Sequence, residues 1–197
     1  MQYHSQQAGF SLIELLVSMT IFSVVMTMAA GTLLVLLDAN AKAQNKQQIL
    51  NNLTFAVDSM SREIRTGKNY VCLVDSISSS SEPEEVEDDC NDGGIYLSFV
   101  EAGDSLTATD ERIAYAFDED WYGSGHGAII RRLADGDWVP MTARNTIITF
   151  AEFVVTGAEP DDEQPTVTIF IQGEAGDLAE VEVDFAIQTS VTQRQLD

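Results

Sequence analysis

An uninterrupted hydrophobic run near the N-terminus constrains this chain more than any other feature. Residues 15–37 include no charged side chain, and an α-helix needs about 20 such residues to cross about 30 Å of hydrocarbon. A cleaved secretory signal has a shorter apolar region that ends at a small-x-small site. Here the sequence continues through residues 38–44 without a glycine or proline that would end a helix. The run therefore predicts a hydrophobic membrane helix over residues 10–37 that stays attached to the protein.

Glu14 directly precedes this run and is unusual for a plain anchor. A carboxylate at membrane depth costs about 2.5–3.5 kcal/mol on insertion scales and needs a compensating partner. If the chain is cut between Gly9 and Phe10, the new α-amine lies one helical turn from Glu14, and the positive end of the helix dipole also favours the carboxylate. Glu14 therefore indicates a helix that takes part in assembly.

The residues around this junction, GFSLIELLV at positions 9–17, resemble the class III signal sequence of type IV prepilins and pseudopilins. In that family a membrane aspartyl protease cuts after the glycine, the new N-terminal phenylalanine is N-methylated, and the glutamate guides docking into the growing fibre. The resemblance assigns these roles to Gly9, Phe10 and Glu14. It departs from the family in its leader, residues 1–9, which contains His4 but no Lys or Arg; the positive-inside rule then gives the orientation little support.

The resemblance also implies a set of partners and a location. The partners are other pilin subunits through the N-terminal helix, the prepilin peptidase and methyltransferase, the inner-membrane assembly platform and the membrane itself. Before assembly the chain is expected to cross the cytoplasmic membrane once with its head outside, and after assembly to lie in a pilus or a periplasmic pseudopilus.

Beyond the membrane run, apolar residues recur at spacings of three and four, which predicts one buried helical face. Thr66-Gly67 is a C-terminal stop signal, and Arg62 and Arg65 suit the negative end of a helix. We expect one helix from Phe10 to about Arg65, its amphipathic part covering residues 38–67. The residues of the predicted face are Ile49, Leu53, Val57, Met60 and Ile64.

The remainder, residues 68–197, is expected to form a β-rich extracytoplasmic head. Strand-like segments follow the long helix, which predicts an α+β, pilin-like fold with the helix packed on an antiparallel sheet. Asp135-Gly136 predicts a hairpin between 131–133 and 138–139. The predicted strands are residues 70–74, 95–100, 112–117, 128–133, 138–141, 146–155, 166–172 and 180–190.

The charge balance restricts the possible partners. Ten Lys and Arg stand against 32 Asp and Glu, a formal net charge of -22, so we expect no direct binding to the phosphate backbone of a nucleic acid. The acids concentrate in residues 75–120, which hold 15 carboxylates and one base, Arg112.

Within this acidic stretch, residues 76–94 predict a solvated loop. Cys72 and Cys90 flank it, and an oxidising compartment would permit a disulfide between them.

No catalytic constellation is apparent in the sequence, and no enzyme activity is expected. After a cut at Gly9 only His126 remains, in a glycine-rich segment, so no histidine pair is available for zinc or a proton relay. The acidic segment contains one candidate calcium loop, although it lacks the spacing and terminal Glu of an EF-hand; apart from that calcium, no cofactor is expected. Its oxygen ligands would be Asp88, Asp89, Asn91 and Asp92.

Two functional hypotheses remain open from the sequence. The first is a minor pilin or pseudopilin, because residues 58–65 at the helix end, with a large strand-rich domain after them, resemble minor pilins and J-type minor pseudopilins. The second is an extracytoplasmic binding domain that is anchored in the membrane and never polymerises, for which Glu14 would be incidental.

Overall fold

The computed structural model describes residues 9–74, 89–101, 112–134, 136–158, 164–175 and 183–194. The chain divides into two compact units, Met1–Gln44 and Asn45–Asp197. One helix, α1 (Leu12–Thr66), extends across that division. The α+β class is confirmed, because a long N-terminal helix is followed by antiparallel sheets.

In the first unit the described residues form the N-terminal part of α1. The helix begins at Leu12 rather than at Phe10 and continues through Gly31 without interruption. Its sequence is long and apolar enough to cross a membrane.

The second unit contains the rest of α1 and, within the described residues, nine strands in two sheets. A five-stranded sheet has the order β1-β3-β4-β5-β6, and a four-stranded sheet has the order β2-β7-β8-β9; all pairings are antiparallel. The strands are β1 (Lys68–Leu73), β2 (Cys90–Gly94), β3 (Tyr96–Val100), β4 (Arg112–Asp118), β5 (Ala128–Leu133), β6 (Val139–Pro140), β7 (Thr146–Thr156), β8 (Thr166–Ala175) and β9 (Val183–Thr192).

One hydrophobic core joins α1 to both sheets. The buried face of α1 repeats at helical spacing, as predicted, although Ala56 is buried where Val57 was expected and Val57 is half-buried. Leu97, Phe99 and Tyr115 contribute from the five-stranded sheet. From the four-stranded sheet the same core receives Ile148, Phe153, Val155, Val167, Ile169 and Ile171. Burial of this apolar surface is the main force that holds the helix against the strands.

The predicted loop over residues 76–94 is wrong at its C-terminal end. Residues 90–94 form β2, whose Cys90 and Gly94 are opposite Val155 and Phe153 of β7. The segment Cys-Asn-Asp-Gly-Gly has neither β-branched residues nor alternation, so its strand conformation comes from its neighbours rather than from local preference. Of the rest of the predicted loop, Asp89 is described and residues 76–88 lie outside the described residues.

The predicted hairpin is confirmed in its pairing, since Ile130 and Arg131 of β5 are opposite Pro140 and Val139 of β6. The backbone N–H of Gly136 donates to the Leu133 carbonyl at 2.9 Å. Asp135 lies outside the described residues.

Within the described residues, a backbone hydrogen bond and a disulfide are among the connections that join the two sheets. The backbone N–H of Ile148 in β7 donates to the Gly127 carbonyl, next to β5, at 3.0 Å. A side chain at Gly127 would overlap the Ile148 carbonyl oxygen, so this approach requires glycine. Cys72 of β1 and Cys90 of β2 form a disulfide, with their Cα atoms 5.9 Å apart.

Candidate functional site

The start of α1 is capped by Ser11. Its side-chain oxygen accepts a hydrogen bond from the backbone N–H of Glu14 at 3.3 Å, and its carbonyl accepts from the N–H groups of Glu14 and Leu15 at 3.1 and 3.2 Å. Ser-x-x-Glu before an apolar run is the sequence pattern of a capping box. Here the Ser11 hydroxyl accepts from one of the N–H groups that the first helical turn leaves without partners. Ser11 was not among the predicted site residues, although this local pattern was sufficient to identify it.

The candidate cleavage junction, Gly9–Phe10, precedes the helix. Neither residue is helical, and the Phe10 side chain is 83% exposed. No heavy atom approaches within 4 Å of the position that a Cβ of Gly9 would occupy. The junction therefore lies outside the helix and is exposed at Phe10, and residues 1–8 of the leader lie outside the described residues.

Glu14 lies in the first turn of α1. At this position the backbone N–H groups and the helix dipole favour a negative charge. Within residues 9–37, Glu14 is the single charged side chain. The helix thus has a long apolar surface with one carboxylate at its N-terminal end.

This apolar surface is unpartnered in its own unit. Every residue from 10 to 44 is exposed, including Phe22, Met26 and Leu34 at 60, 52 and 67%. A contiguous exposed apolar surface of this size marks contact with a membrane or with other proteins.

Four hydroxyl side chains within the apolar segment are hydrogen-bonded to the helix itself. Four hydroxyls donate to carbonyls three or four residues earlier at 2.8–2.9 Å. Such internal bonds remove the penalty of exposing a hydroxyl donor to hydrocarbon. The four are Ser18, Thr20, Thr27 and Thr32.

A charged network holds the C-terminal part of α1 on the five-stranded sheet. The Arg131 guanidinium donates to both Glu63 carboxylate oxygens at 2.7 and 3.0 Å, and the Tyr115 hydroxyl donates to the same carboxylate at 2.6 Å. Burial, and then the hydrogen bond to Glu63, raise the pKa of Tyr115. A two-point contact of this kind fixes orientation as well as distance, so it sets the angle between the helix and the sheet.

The end of α1 is held by residues distant in sequence. The Tyr70 hydroxyl lies within hydrogen-bonding distance of the Ile64 and Gly67 carbonyls, at 2.5 and 2.9 Å, and burial raises the pKa of Tyr70. The Arg194 N–H donates to the Arg65 carbonyl at 2.7 Å. Carbonyls that the last helical turn leaves unpaired thus receive partners.

Arg112, the one base of the acidic stretch, is 7% exposed. Its guanidinium donates to the Asn69 carbonyl at 2.7 Å and to the Ser98 hydroxyl at 3.1 Å. Asn69 has a φ of 55°, a left-handed conformation that Asn tolerates better than most residues. Arg112 therefore connects β1, β3 and β4.

Of the candidate calcium residues, the structure describes Asp89, Asn91 and Asp92. The Asp89 carboxylate accepts a hydrogen bond from the Ala158 N–H at 2.8 Å, whereas Asn91 and Asp92 are exposed on β2. Asp88 lies outside the described residues. Within the described ranges no three His, Cys, Asp or Glu side chains are close enough to hold a metal ion.

His126 belongs to a turn. Its carbonyl accepts from the Tyr122 N–H at 3.2 Å, and its N–H donates to the Gly123 carbonyl at 3.4 Å. Gly123, Ser124 and Gly125 have positive φ values of 80, 63 and 75°. The arrangement is that of a tight connection between β4 and β5.

Residues 4–30 match a known family model, the prokaryotic N-terminal methylation motif. The match covers Gly9, Phe10, Glu14 and the first turns of α1. No curated protein and no solved structure matches the chain. The motif belongs to a structural rather than an enzymatic family. Together with the apolar helix, it supports a type IV pilin-like precursor that carries a class III signal sequence and is processed by prepilin peptidase.

Proposed function

We propose that this protein is a minor pilin or pseudopilin, a structural subunit that assembles through α1 into a type IV pilus or a type II secretion-like fibre. Prepilin peptidase cuts after Gly9, and Phe10 becomes the methylated N-terminus. The observation that carries the proposal is an unpartnered apolar helix that bears the methylation motif and a single carboxylate in its first turn. The fibre serves adhesion, motility, DNA uptake or protein secretion.

Before assembly α1 holds the subunit in the cytoplasmic membrane as a single span, and the head lies outside. On assembly the same apolar surface leaves the lipid and packs against the helices of neighbouring subunits. Glu14 forms an ion pair with the Phe10 α-amine of its own chain or of an adjacent subunit. Each of these charges requires a partner because hydrocarbon surrounds it.

A position at or near the fibre tip suits the head. A net charge of -22 makes close packing of many identical heads unfavourable through repulsion between like charges, and this effect is smallest for a subunit present in few copies. The same negative charge repels the phosphates of DNA. In a DNA-uptake system a different subunit therefore contacts the DNA.

The test compares two acidic residues of α1 in the protein's own cells. Glu14→Ala removes the first-turn carboxylate, whereas Asp38→Ala removes an exposed carboxylate that pairs with Lys42 in the same helix, at 3.0 Å. We expect Glu14→Ala to abolish recovery of the subunit in sheared fibres and Asp38→Ala to leave it unchanged. Equal recovery of the two variants would favour the alternative, an anchored binding domain that does not polymerise.

A further inference from the structure

The outer face of the four-stranded sheet is free of charge over most of its area, in a chain with a formal charge of -22. Alternate residues of β7, β8 and β9 point into the core, as the burial of Val155, Ile169 and Val191 shows, so the residues between them point outward. We call Phe150 and the outward-pointing residues of 166–172 and 186–192, none of which is charged, the neutral face.

Hydroxyl groups occupy one half of the neutral face. Thr166 of β8 is opposite Thr192 of β9, and Thr168 is opposite Ser190. The hydroxyl oxygens of these pairs are 3.3 and 2.9 Å apart. Each pair leaves donor and acceptor capacity directed to solvent.

Aromatic and amide side chains occupy the other half. Phe150 is opposite Gln172, and Phe170 is opposite Gln188. The two phenylalanines are diagonal neighbours on adjacent strands, at about 7–8 Å. Phe150 is 42% exposed, so an aromatic surface lies beside two amides.

The carboxylates near this surface lie at its margins. Glu152 of β7 is opposite Phe170, but its carboxylate extends toward β2, since a side chain at Gly93 would overlap it. Glu174 and Asp184 are opposite each other at the far end of β8 and β9. The neutral face spans about 20 Å along the strands and about 10 Å across them, from strand geometry.

We propose that the neutral face binds a neutral polysaccharide. Sugar rings present apolar C–H faces that pack on aromatic rings and hydroxyls that pair with amides and other hydroxyls, and the neutral face supplies both in a flat, regular array. The surrounding acidic surface repels phosphate-bearing and anionic polymers, which selects an uncharged ligand. This binding does not depend on fibre assembly and can fail or succeed independently of it.

The experiment uses the full chain in an uncharged detergent, mixed with insoluble cellulose or chitin and, separately, with anionic alginate beads. We expect retention on at least one neutral polymer and none on alginate. Phe150→Ala and Phe170→Ala should each weaken retention about tenfold, as loss of a buried aromatic contact predicts. Phe55→Ala is the matched control, because Phe55 is 71% exposed on α1 in the same unit and should have no effect.

Gln188→Glu provides a second variant that leaves the rings intact. It adds a carboxylate to the centre of the neutral face and should also weaken retention about tenfold, whereas Gln188→Asn should retain most of the binding. A thermal unfolding curve for each variant shows that the head is folded. Failure to bind cellulose and chitin, equal losses in Phe55→Ala and Phe170→Ala, or binding to alginate alone would overturn the proposal.

Discussion

At the scale of single residues, the side chains that position α1 differ greatly in how visible they are in sequence. Ser11 caps its own helix through a local pattern. Glu63 and Arg131 are 68 positions apart, and no spacing rule connects a helix residue with a strand residue at that distance. Such contacts depend on the completed fold and could not be predicted.

The Glu63 network gives a stability prediction with an internal control. Glu63→Ala leaves Arg131 and Tyr115 without their shared acceptor and should lower the free energy of unfolding by about 1–3 kcal/mol. The lower half of that range is expected, because both charged side chains are 23% exposed and water screens them. Asp58→Ala removes the exposed pair with Arg62 and should cost at most about 0.5 kcal/mol. Denaturant unfolding of the full chain in detergent measures both, and equal costs would contradict a special role for Glu63.

The buried tyrosines predict how stability depends on pH. The pKa values of Tyr70 and Tyr115 are raised by burial, whereas an unfolded tyrosine titrates near about 10. A raised pKa in the folded state means that these residues contribute their full stability below about pH 10 and lose it as the pH rises further. Tyr115→Phe should reduce this alkaline loss. Unfolding at pH 8 and pH 11 tests the prediction, and a parent protein that gains stability between them would contradict it.

At the scale of elements, the helix and most strands were predictable because each carries its own pattern. The apolar residues of α1 recur at helical spacing, and β4, β5 and β7 are rich in residues that favour strands. β2 has no such pattern, and its place is fixed by β7 and the disulfide. The division of the strands into two sheets is also a property of long-range pairing, which strand patterns alone do not determine.

The Cys72–Cys90 disulfide should stabilise the packing of the two sheets as well as the loop that it closes, because it joins β1 of one sheet to β2 of the other. The double variant Cys72→Ser, Cys90→Ser should lose about 3 kcal/mol of stability, from closure of a loop with a sequence separation of 18. A reducing agent should destabilise the parent to a similar extent and leave the variant unaffected. Unfolding curves with and without the reductant test this prediction. A parent protein whose stability is unchanged by the reductant would contradict it.

At the scale of the whole molecule, the two units have opposite surface chemistry. The described part of the first unit is an exposed apolar helix, whereas the second unit is an acidic, β-rich head with a buried core. A chain of this kind requires lipid or other helices around its first unit and water around its second. This division was predictable from the sequence, because it follows from the charge-free run and the position of the acids.

Mass spectrometry of the N-terminus tests directly whether this chain is a processed fibre subunit. The protein is isolated from sheared fibres of its own cells and compared with the membrane-bound pool. We expect the fibre fraction to contain a mature chain that begins with N-methylated Phe10. An intact Met1, a cut after Ala30, or absence of the protein from the fibres would contradict it.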